Sequence, residues 1–270
     1  MEFVLGLAPC GFPKDGDALL QIDRYARNAK QNGVDLLVFP ENLMCPHELS
    51  VPELVEIAEP LDGTFVQTIR RIARACGLWI VFTMYESSPA HKLPYNAAVV
   101  VDGQGSLRGL YRKCHLYDAH SVRESERMLA GDRLCDAIHA PFGTFGLGIC
   151  YDLRFPEVSR TLALKGCDLM LFPSAWHDGP HKLEHWETLL RARAIENECF
   201  VAGVCHGGPR YVGVSIACDP LGQVVARSTG DLMTCAIDLK AVRSAREAMP
   251  IFEHRRPSLY QALAQGEPSS

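Results

Sequence analysis

Three reactive side chains follow apolar segments that have the pattern of buried strands. Cys150, Glu41 and Lys113 each lie one or two residues beyond the end of such a segment, and strand ends commonly carry the active site of α/β proteins. A thiol with a pKa of about 8.5 attacks a carbonyl at neutral pH only with help from a base or a cation. Glu41 has the chemistry of that base, and Lys113 has the chemistry of a cation that stabilises an oxyanion. The pattern indicates cysteine-dependent acyl transfer, with solvated charges at strand ends as the alternative for Glu41 and Lys113.

The other cysteines have no such neighbours. The chain contains 11 cysteines, an odd number scattered over its whole length, without a C-x-x-C pair. This distribution argues against a secreted disulfide scaffold and against a zinc ribbon. Cys10 and Cys45 lie near strand ends without polar partners that suggest chemistry, and the rest are expected to be small buried hydrophobes. Free thiols are typical of a reducing compartment, so we expect a cytoplasmic protein.

Strand and helix patterns alternate along the whole chain without an internal linker. We therefore expect a single domain over residues 1–260, followed by a C-terminal tail at 261–270. The predicted strands are 4–8, 35–39, 78–85, 97–101, 107–111, 145–150, 168–172, 199–204, 212–218, 224–227 and 234–238, and the predicted helices are 17–32, 65–76, 156–165, 183–198 and 240–248.

Two segments of the first half recur in the second half. Residues 33–40 read Gly-Val-Asp-Leu-Leu-Val-Phe-Pro, and residues 166–173 read Gly-Cys-Asp-Leu-Met-Leu-Phe-Pro. Strand–turn–strand patterns recur likewise at 99–107 and 216–224. Two mixed sheets packed face to face, with helices outside, would bury such apolar strands on both faces. A doubly wound parallel sheet is the alternative, but the hairpins and the lack of a G-x-G-x-x-G motif argue against it.

The charge and hydropathy of the chain limit its partners. The formal net charge is −5, with both signs interspersed and no basic stripe, so neither nucleic acid nor an anionic membrane is an expected partner. No apolar run approaches the roughly 20 residues that span a bilayer. We expect small-molecule ligands and self-association instead.

Several histidines allow other chemistry. His177, His181 and His185 recur at four-residue spacing, which raises a zinc site as a possibility, but the Gly-Pro pair at 179–180 interrupts any helix through the first two. We expect this segment to border the pocket and no metal to be bound. A Cys–His dyad that uses His115 or His120 is a further option, although a hydrogen-bonding role fits His115 better.

The motifs around the three reactive residues resemble the three signatures of the nitrilase superfamily of carbon–nitrogen hydrolases. They are Phe-Pro-Glu at 39–41, Tyr-Arg-Lys-Cys-His-Leu at 111–116 and Gly-Ile-Cys-Tyr-Asp-Leu-Arg-Phe-Pro-Glu at 148–157. The resemblance extends from residue 3 to about residue 260 and includes the later segment 185–197. It implies a four-layer αββα sandwich with two mixed β-sheets, which pairs into homodimers or higher assemblies.

The resemblance also implies roles for individual residues. Cys150 becomes the nucleophile and Glu41 the general base, and Lys113 stabilises the oxyanion together with the N–H of Tyr151. A second glutamate of the family matches Glu124, in the Glu-Ser…Gly-Asp frame of 124–132; because only ten residues separate it from Lys113, Glu126 is a rival. No metal, nucleotide or organic cofactor is required.

Substrate choice follows less directly from the motifs. Cys150 is followed by Tyr-Asp rather than the Trp-Glu of nitrile-hydrolysing members, and one arginine, Arg154, stands where the D-carbamoylase branch has two. The pattern looks most like the Nit and ω-amidase branch, which implies dicarboxylate mono-amides such as 2-oxoglutaramate or deaminated glutathione. Arg154 would hold the distal carboxylate, unless it pairs with Glu157 or Asp152, and Trp176 in the Pro-Ser-Ala-Trp segment would contact substrate. N-carbamoyl amino acids and aliphatic amides are alternatives, as is a reactive-thiol sensor or a partner-binding homologue without hydrolytic activity.

Overall fold

The computed structural model describes residues 1–11, 18–45 and 49–264 of the chain. Its twelve strands form two six-stranded sheets. The strands are β1 (Glu2–Leu7), β2 (Leu36–Val38), β3 (Trp79–Glu86), β4 (Tyr95–Val101), β5 (Leu107–Arg112), β6 (Ile138–Ala140), β7 (Gly143–Leu147), β8 (Leu169–Ser174), β9 (Phe200–Cys205), β10 (Ser215–Cys218), β11 (Val224–Ser228) and β12 (Met233–Asp238). The helices are α1 (Ala18–Gln31), α2 (Val51–Ile57), α3 (Thr64–Cys76), α4 (Pro156–Leu164), α5 (Lys182–Asn197), α6 (Lys240–Ala248), α7 (Ile251–His254) and α8 (Pro257–Ala264).

The two sheets have the same pairing pattern. The first has the order β12-β1-β2-β3-β4-β5 and the second β6-β7-β8-β9-β10-β11. In each order the successive pairs are antiparallel, parallel, parallel, antiparallel and antiparallel. The recurring segments 33–40 and 166–173 contain β2 and β8, which occupy the third place in their sheets. The sequence repeat therefore corresponds to a repeat in topology.

Strand β4 illustrates why the sheets have two buried faces. Its residues alternate between two core clusters: Ala98 and Val100 belong to a cluster shared with the second sheet, whereas Ala97, Val99 and Val101 belong to one shared with α1 and α3. Successive side chains of a strand point to opposite faces, so a continuous run of β-branched and small apolar residues fits a sheet covered on both sides.

Helices cover the outer faces of both sheets. Residues of α1 and α3 pack on the first sheet, and residues of α4 and α5, including Trp186, belong to the cluster that also fills the space between the sheets. Gly33 and Gly166, with φ of 68° and 84°, adopt left-handed backbone that suits glycine where the chain turns from α1 into β2 and from α4 into β8. The predicted αββα sandwich is confirmed.

Some elements differ from the sequence-based expectations. The short strand β6 was not predicted, because three residues are too few to establish alternation, and α2, α7 and α8 were also missed. The strand predicted at 145–150 ends earlier, at Leu147, and Cys150 instead begins a short 3₁₀ helix, Cys150–Arg154. Helix α8 extends into the predicted tail, of which residues 265–270 lie outside the described residues.

Among the described residues, no helix is both long and apolar enough to cross a membrane.

Candidate active site

The loops that follow β2, β5 and β7 meet at one cavity of about 150 Å³. They bring Glu41, Lys113 and Cys150 together in its wall, and Glu124 joins them from the segment after β5. Glu41 and Lys113 are each only 2% exposed, and Cys150 is partly exposed. Charged groups as deeply buried as these need partners to offset the loss of hydration.

The Glu41 carboxylate is fully engaged by hydrogen-bond donors. Its Oε1 accepts from Lys113 Nζ at 2.9 Å and Asn96 Nδ2 at 2.8 Å, and its Oε2 accepts from the Ala175 N–H at 2.8 Å. Burial by itself raises the pKa of Glu41, but the charge of Lys113 and the hydrogen bonds from Lys113, the Ala175 N–H and the Cys150 thiol hold it below its usual value. Glu41 is therefore ionised and positioned to accept the thiol proton.

Lys113 lies between two carboxylates. Besides the bond to Glu41, its Nζ donates to both carboxylate oxygens of Glu124, at 2.8 and 3.0 Å. Burial lowers the pKa of Lys113, but the charges of Glu124 and Glu41 outweigh this effect and raise the pKa well above its usual value. The backbone N–H of Tyr117 donates to Glu124 at 2.6 Å. Of the two candidate glutamates, Glu124 contacts Lys113, whereas Glu126 is exposed and does not line the cavity.

Cys150 lies on a strained turn. Its φ is +44°, a left-handed conformation that costs energy for a residue with a side chain and is often found at functional sites. Burial and the negative charge of Glu41 raise the pKa of the Cys150 thiol well above its usual value, although Lys113 opposes them. The resting state is a thiol hydrogen-bonded to Glu41. The N–H of Tyr151 lies in the first turn of the 3₁₀ helix, where backbone donors have no intrahelical acceptor.

Asp152 connects the turn of Cys150 to the end of β5, next to Lys113. Its buried carboxylate accepts from the Ile149 N–H at 2.8 Å and the Tyr111 hydroxyl at 2.8 Å, and it also bonds the backbone N–H and ring Nδ1 of His115. The His115 ring stacks on Phe155 with centroids 3.7 Å apart. His115 is thus part of a structural hydrogen-bond network, which speaks against a Cys–His dyad.

The backbone of Glu41 is held by two residues that sequence reasoning missed. The Thr83 hydroxyl donates to the Pro40 carbonyl at 2.9 Å and accepts from the Leu43 N–H at 3.1 Å. The ring of His206, 1% exposed, contacts the Glu41 carbonyl through Nε2 and the Cys10 carbonyl through Nδ1. The available signal for His206 was its place two residues beyond a predicted strand, 199–204.

Arg154 and Trp176 form one wall of the cavity. The guanidinium of Arg154 lies over the Trp176 ring, 4.7 Å from a ring centroid, and the indole N–H of Trp176 donates to the Lys182 carbonyl at 3.0 Å. No carboxylate of the described residues lies within ion-pair distance of Arg154. Asp152 instead bonds the groups described above, and Glu157 is exposed. Arg154 is thus available to an anionic ligand.

The three spaced histidines have different surroundings. His177 lines the cavity, and its ring stacks with that of Tyr117 at a centroid separation of 6.3 Å. His181 and His185 are exposed at the start of α5. Within the described ranges, no group of three or more histidine, cysteine or acidic residues has a metal-binding arrangement. The cavity is also lined by residues that sequence reasoning did not single out, among them Tyr85, Arg127, Lys182 and Arg210.

Known proteins share this sequence and architecture. The bovine deaminated glutathione amidase is 38% identical over 237 residues, covering 81% of this chain and 70% of that protein. The deaminated glutathione amidase of Escherichia coli O157:H7 is 32% identical over 230 residues, covering 84% and 87%. The matched region covers more than two thirds of each of these relatives.

Solved structures with the same architecture point to the same family as these relatives. The NitFhit protein of Caenorhabditis elegans superposes with a TM-score of 0.88 at 32% identity, covering 96% of this chain and 66% of that fusion protein. Nit3 of Saccharomyces cerevisiae, a member of the nitrilase superfamily, superposes with a TM-score of 0.81 at 28% identity, covering 92% and 94%. The model of the family described as carbon–nitrogen hydrolase matches residues 12–247. The resemblance of the motifs is confirmed: the chain belongs to the carbon–nitrogen hydrolase family.

Proposed function

We propose that the protein hydrolyses the C–N bond of a small carboxamide that carries a carboxylate, through a thioester on Cys150. The observation that carries this proposal is the buried cluster in which one carboxylate, Glu41, bonds both the Cys150 thiol and the Lys113 ammonium. The cluster opens into the cavity walled by Arg154 and Trp176. The family assignment supports an enzyme that acts on amides.

In the first half-reaction, Glu41 takes the thiol proton as Cys150 attacks the amide carbonyl. The proton neutralises Glu41, which weakens its bond with Lys113 and frees an N–H of the ammonium for the new oxyanion. The N–H of Tyr151 is the second donor. Glu124 keeps two of the ammonium donors engaged, so Lys113 stays charged and fixed in position while its third donor is redirected.

The first half-reaction ends when protonated Glu41 gives its proton to the leaving nitrogen and the C–N bond breaks, as the tetrahedral intermediate collapses to the thioester. In the second half-reaction the thioester is hydrolysed: Glu41, again a carboxylate, takes a proton from water as the water attacks the thioester carbonyl. The acid product leaves and Cys150 regains its proton. Nucleophile, base and oxyanion donors all come from the chain, so this reaction involves no cofactor.

The charges of the cavity support an acidic substrate. Arg154 stacks on Trp176 without a carboxylate partner among the described residues, and a guanidinium in such a position binds a carboxylate through two hydrogen bonds. The bovine and bacterial relatives are named deaminated glutathione amidases. We therefore propose a dicarboxylate mono-amide, such as 2-oxoglutaramate or deaminated glutathione, as the substrate.

The assembly and compartment are also proposed. Helix α5 buries Trp186 but exposes Leu183 in its first turn and Ile195 on the face opposite Trp186, so apolar side chains lie outside its buried face. A helix of this type buries its second face in an interface, which supports a homodimer or a higher homo-oligomer. All 11 cysteines are free thiols, which supports a cytoplasmic location.

The proposal is tested by measuring ammonia or amine release from 2-oxoglutaramate, deaminated glutathione, monocarboxylic amides, N-carbamoyl amino acids and nitriles. We expect the highest kcat/KM for the amides that carry a carboxylate. Arg154→Ala is expected to raise KM chiefly, because it removes binding that is equal in the ground and transition states. Release from no compound, with reversible oxidation of Cys150, would support a thiol sensor instead.

A further inference from the structure

The two oxygens of the Glu41 carboxylate have unequal surroundings. Its Oε1 accepts hydrogen bonds from Lys113 Nζ at 2.9 Å and from Asn96 Nδ2 at 2.8 Å. Its Oε2 accepts from the Ala175 N–H at 2.8 Å, and the Cys150 thiol donates to the same carboxylate. Each oxygen of an ionised carboxylate has two lone pairs. Both lone pairs of Oε1 are therefore occupied, and Oε2 has one left for the thiol.

Asn96 reaches the carboxylate from the core between the sheets. On β4 its side chain shares a face with Ala98 and Val100, which belong to that core. Asn96 is 1% exposed and is not among the residues that line the cavity. Its Oδ1 accepts no hydrogen bond from the described residues, so the carboxylate alone sets the orientation of the amide. Only Nδ2 can donate to a carboxylate.

The backbone of Asn96 contacts the cation of the cluster. Its carbonyl accepts from the Lys113 N–H at 2.9 Å, one step beyond the pairing of Ala97 with Arg112 between β4 and β5. One residue thus holds the backbone of the cation and the side chain of the base. A substitution of the Asn96 side chain removes only the second contact, so Lys113 keeps its backbone partner.

We propose that Asn96 is a positioning residue that makes Oε2 of Glu41 the oxygen that takes the thiol proton and returns it to the leaving nitrogen. This rests on the proposed function, in which Glu41 is the general base. When the S–H bond breaks and the O–H bond forms, Lys113 turns to the oxyanion and Oε1 loses one donor. The Asn96 amide still donates to Oε1, which keeps Oε1 an acceptor and the proton on Oε2.

Asn96→Leu removes the donor and keeps a side chain of similar size. A hydrogen bond to the ionised form lowers the pKa of a carboxyl group, so the pKa of Glu41 should rise by about one unit in this variant. The acid limb of the kcat/KM profile reports this ionisation and should move to higher pH. Because Oε1 can then compete for the proton, kcat should fall about tenfold. KM should change little, since Asn96 lies outside the cavity wall.

Alkylation of Cys150 by iodoacetamide measures the same ionisation without amide turnover. The thiol can pass its proton to Glu41 only when Glu41 is ionised, so the alkylation rate should rise through an inflection at the pKa of Glu41. Asn96→Leu should move this inflection upward together with the acid limb. A moved inflection in a protein that hydrolyses no amide would support the action of Asn96 on Glu41 and reject the hydrolase function. An unmoved inflection with wild-type kcat would overturn the role of Asn96.

Thr83→Val is the matched control, because Thr83 is also buried and also holds Glu41, but through the backbone. Its hydroxyl bonds the Pro40 carbonyl and the Leu43 N–H. Thr83→Val should lower kcat without moving either pH midpoint. An equal shift in this variant would mean that displacement of the loop, and not the lost donor, moves the pKa. Asn96→Ala also lacks the donor and repeats the test with a smaller side chain, and melting temperatures show that each variant is folded.

A double variant tests whether Asn96 acts through the carboxylate. Glu41→Gln alone removes the base, so adding Asn96→Leu should change neither hydrolysis nor alkylation any further. Damage to the core would instead add to the loss in either background. A further tenfold fall in the double variant would show that Asn96 acts independently of Glu41, and it would overturn the proposal.

Discussion

The ends of β1 and β7 allow a comparison between the two halves of the molecule. Each strand lies between an antiparallel edge strand and a parallel neighbour. Leu5 pairs with Leu36 in the first sheet, and Phe145 pairs with Leu169 in the second. Leu36 and Leu169 are corresponding positions of the repeated segments, so Leu5 corresponds to Phe145. Five residues after Leu5 and after Phe145, each half of the chain has a cysteine: Cys10 in the first and Cys150 in the second.

The two cysteines have different surroundings. Cys150 opens on the cavity and shares a hydrogen bond with Glu41. Cys10 is 1% exposed and lies in the core with residues of α1. Burial raises the pKa of its thiol far above the usual value, although Arg24 and a backbone hydrogen bond oppose it, and no carboxylate of the described residues is among the causes. A place after a strand therefore does not make a nucleophile, which also needs a base and a cavity.

The loops after β2 and β8 differ in a complementary way. Both follow a Phe-Pro pair, but the next residue is Glu41 in the first half and Ser174 in the second. The first loop provides the carboxylate, and the second provides the Ala175 N–H that binds it at 2.8 Å. Corresponding loops thus meet across the sandwich, and a backbone N–H of the second loop binds the carboxylate that only the first loop has.

Removing the Cys150 thiol is expected to have the largest effect. Cys150→Ala should abolish amine release, since no other group can form the thioester. The fold should persist, because the side chain is small and lies on the cavity wall. Amine release and the far-UV circular dichroism spectrum check this prediction. Turnover that survives the substitution would show that another group is the nucleophile.

Removing the charge of Glu41 should separate two properties of Cys150. In Glu41→Gln we expect kcat to fall by about 10²- to 10⁴-fold, the usual contribution of a general base. The pKa of Cys150 should fall, because one of the effects that raise it is the charge of Glu41. A lower pKa means more thiolate at neutral pH, so alkylation by iodoacetamide should become faster while hydrolysis slows.

A matched carboxylate controls the Glu41 result. Glu126→Gln removes the same charge from an exposed residue outside the cavity, and it should change neither rate. If alkylation in Glu41→Gln slows together with hydrolysis, the prediction that the charge of Glu41 raises the thiol pKa is wrong.

His206 should have a smaller effect, through the position of Glu41. His206→Leu removes the contact with the Glu41 carbonyl, and because small displacements of catalytic groups are costly, we expect kcat to fall about tenfold with little change in KM. His206→Gln keeps an N–H donor and should recover most of the rate. A melting temperature measured for each variant separates positioning from stability: equal losses of activity in both variants would indicate a structural role alone.

The sequence was sufficient to predict the main architecture and the cluster of Glu41, Lys113 and Cys150, because strand exits carried distinctive residues and the motifs resembled a known family. The choice between Glu124 and Glu126 required the structure, because the path of the backbone decides which of these two carboxylates reaches Lys113. His206 was missed because its ring contacts the backbone carbonyls of Glu41 and Cys10. Backbone groups of distant segments leave no trace in residue type or spacing.

Substitution of Cys10 is expected to have the smallest effect, and it is the matched control for the substitution of Cys150 in the other half. Cys10→Ala should leave kcat within about twofold, since Cys10 has no contact with the cavity and its carbonyl, the group bonded by His206, is unchanged by substitution of the side chain. Stability should fall by about 1 kcal/mol, because removing one buried atom leaves a small void. Urea unfolding and steady-state hydrolysis measure the two effects. A large loss of activity at full stability would mean that the Cys10 side chain, and not only its carbonyl, positions His206 and through it Glu41.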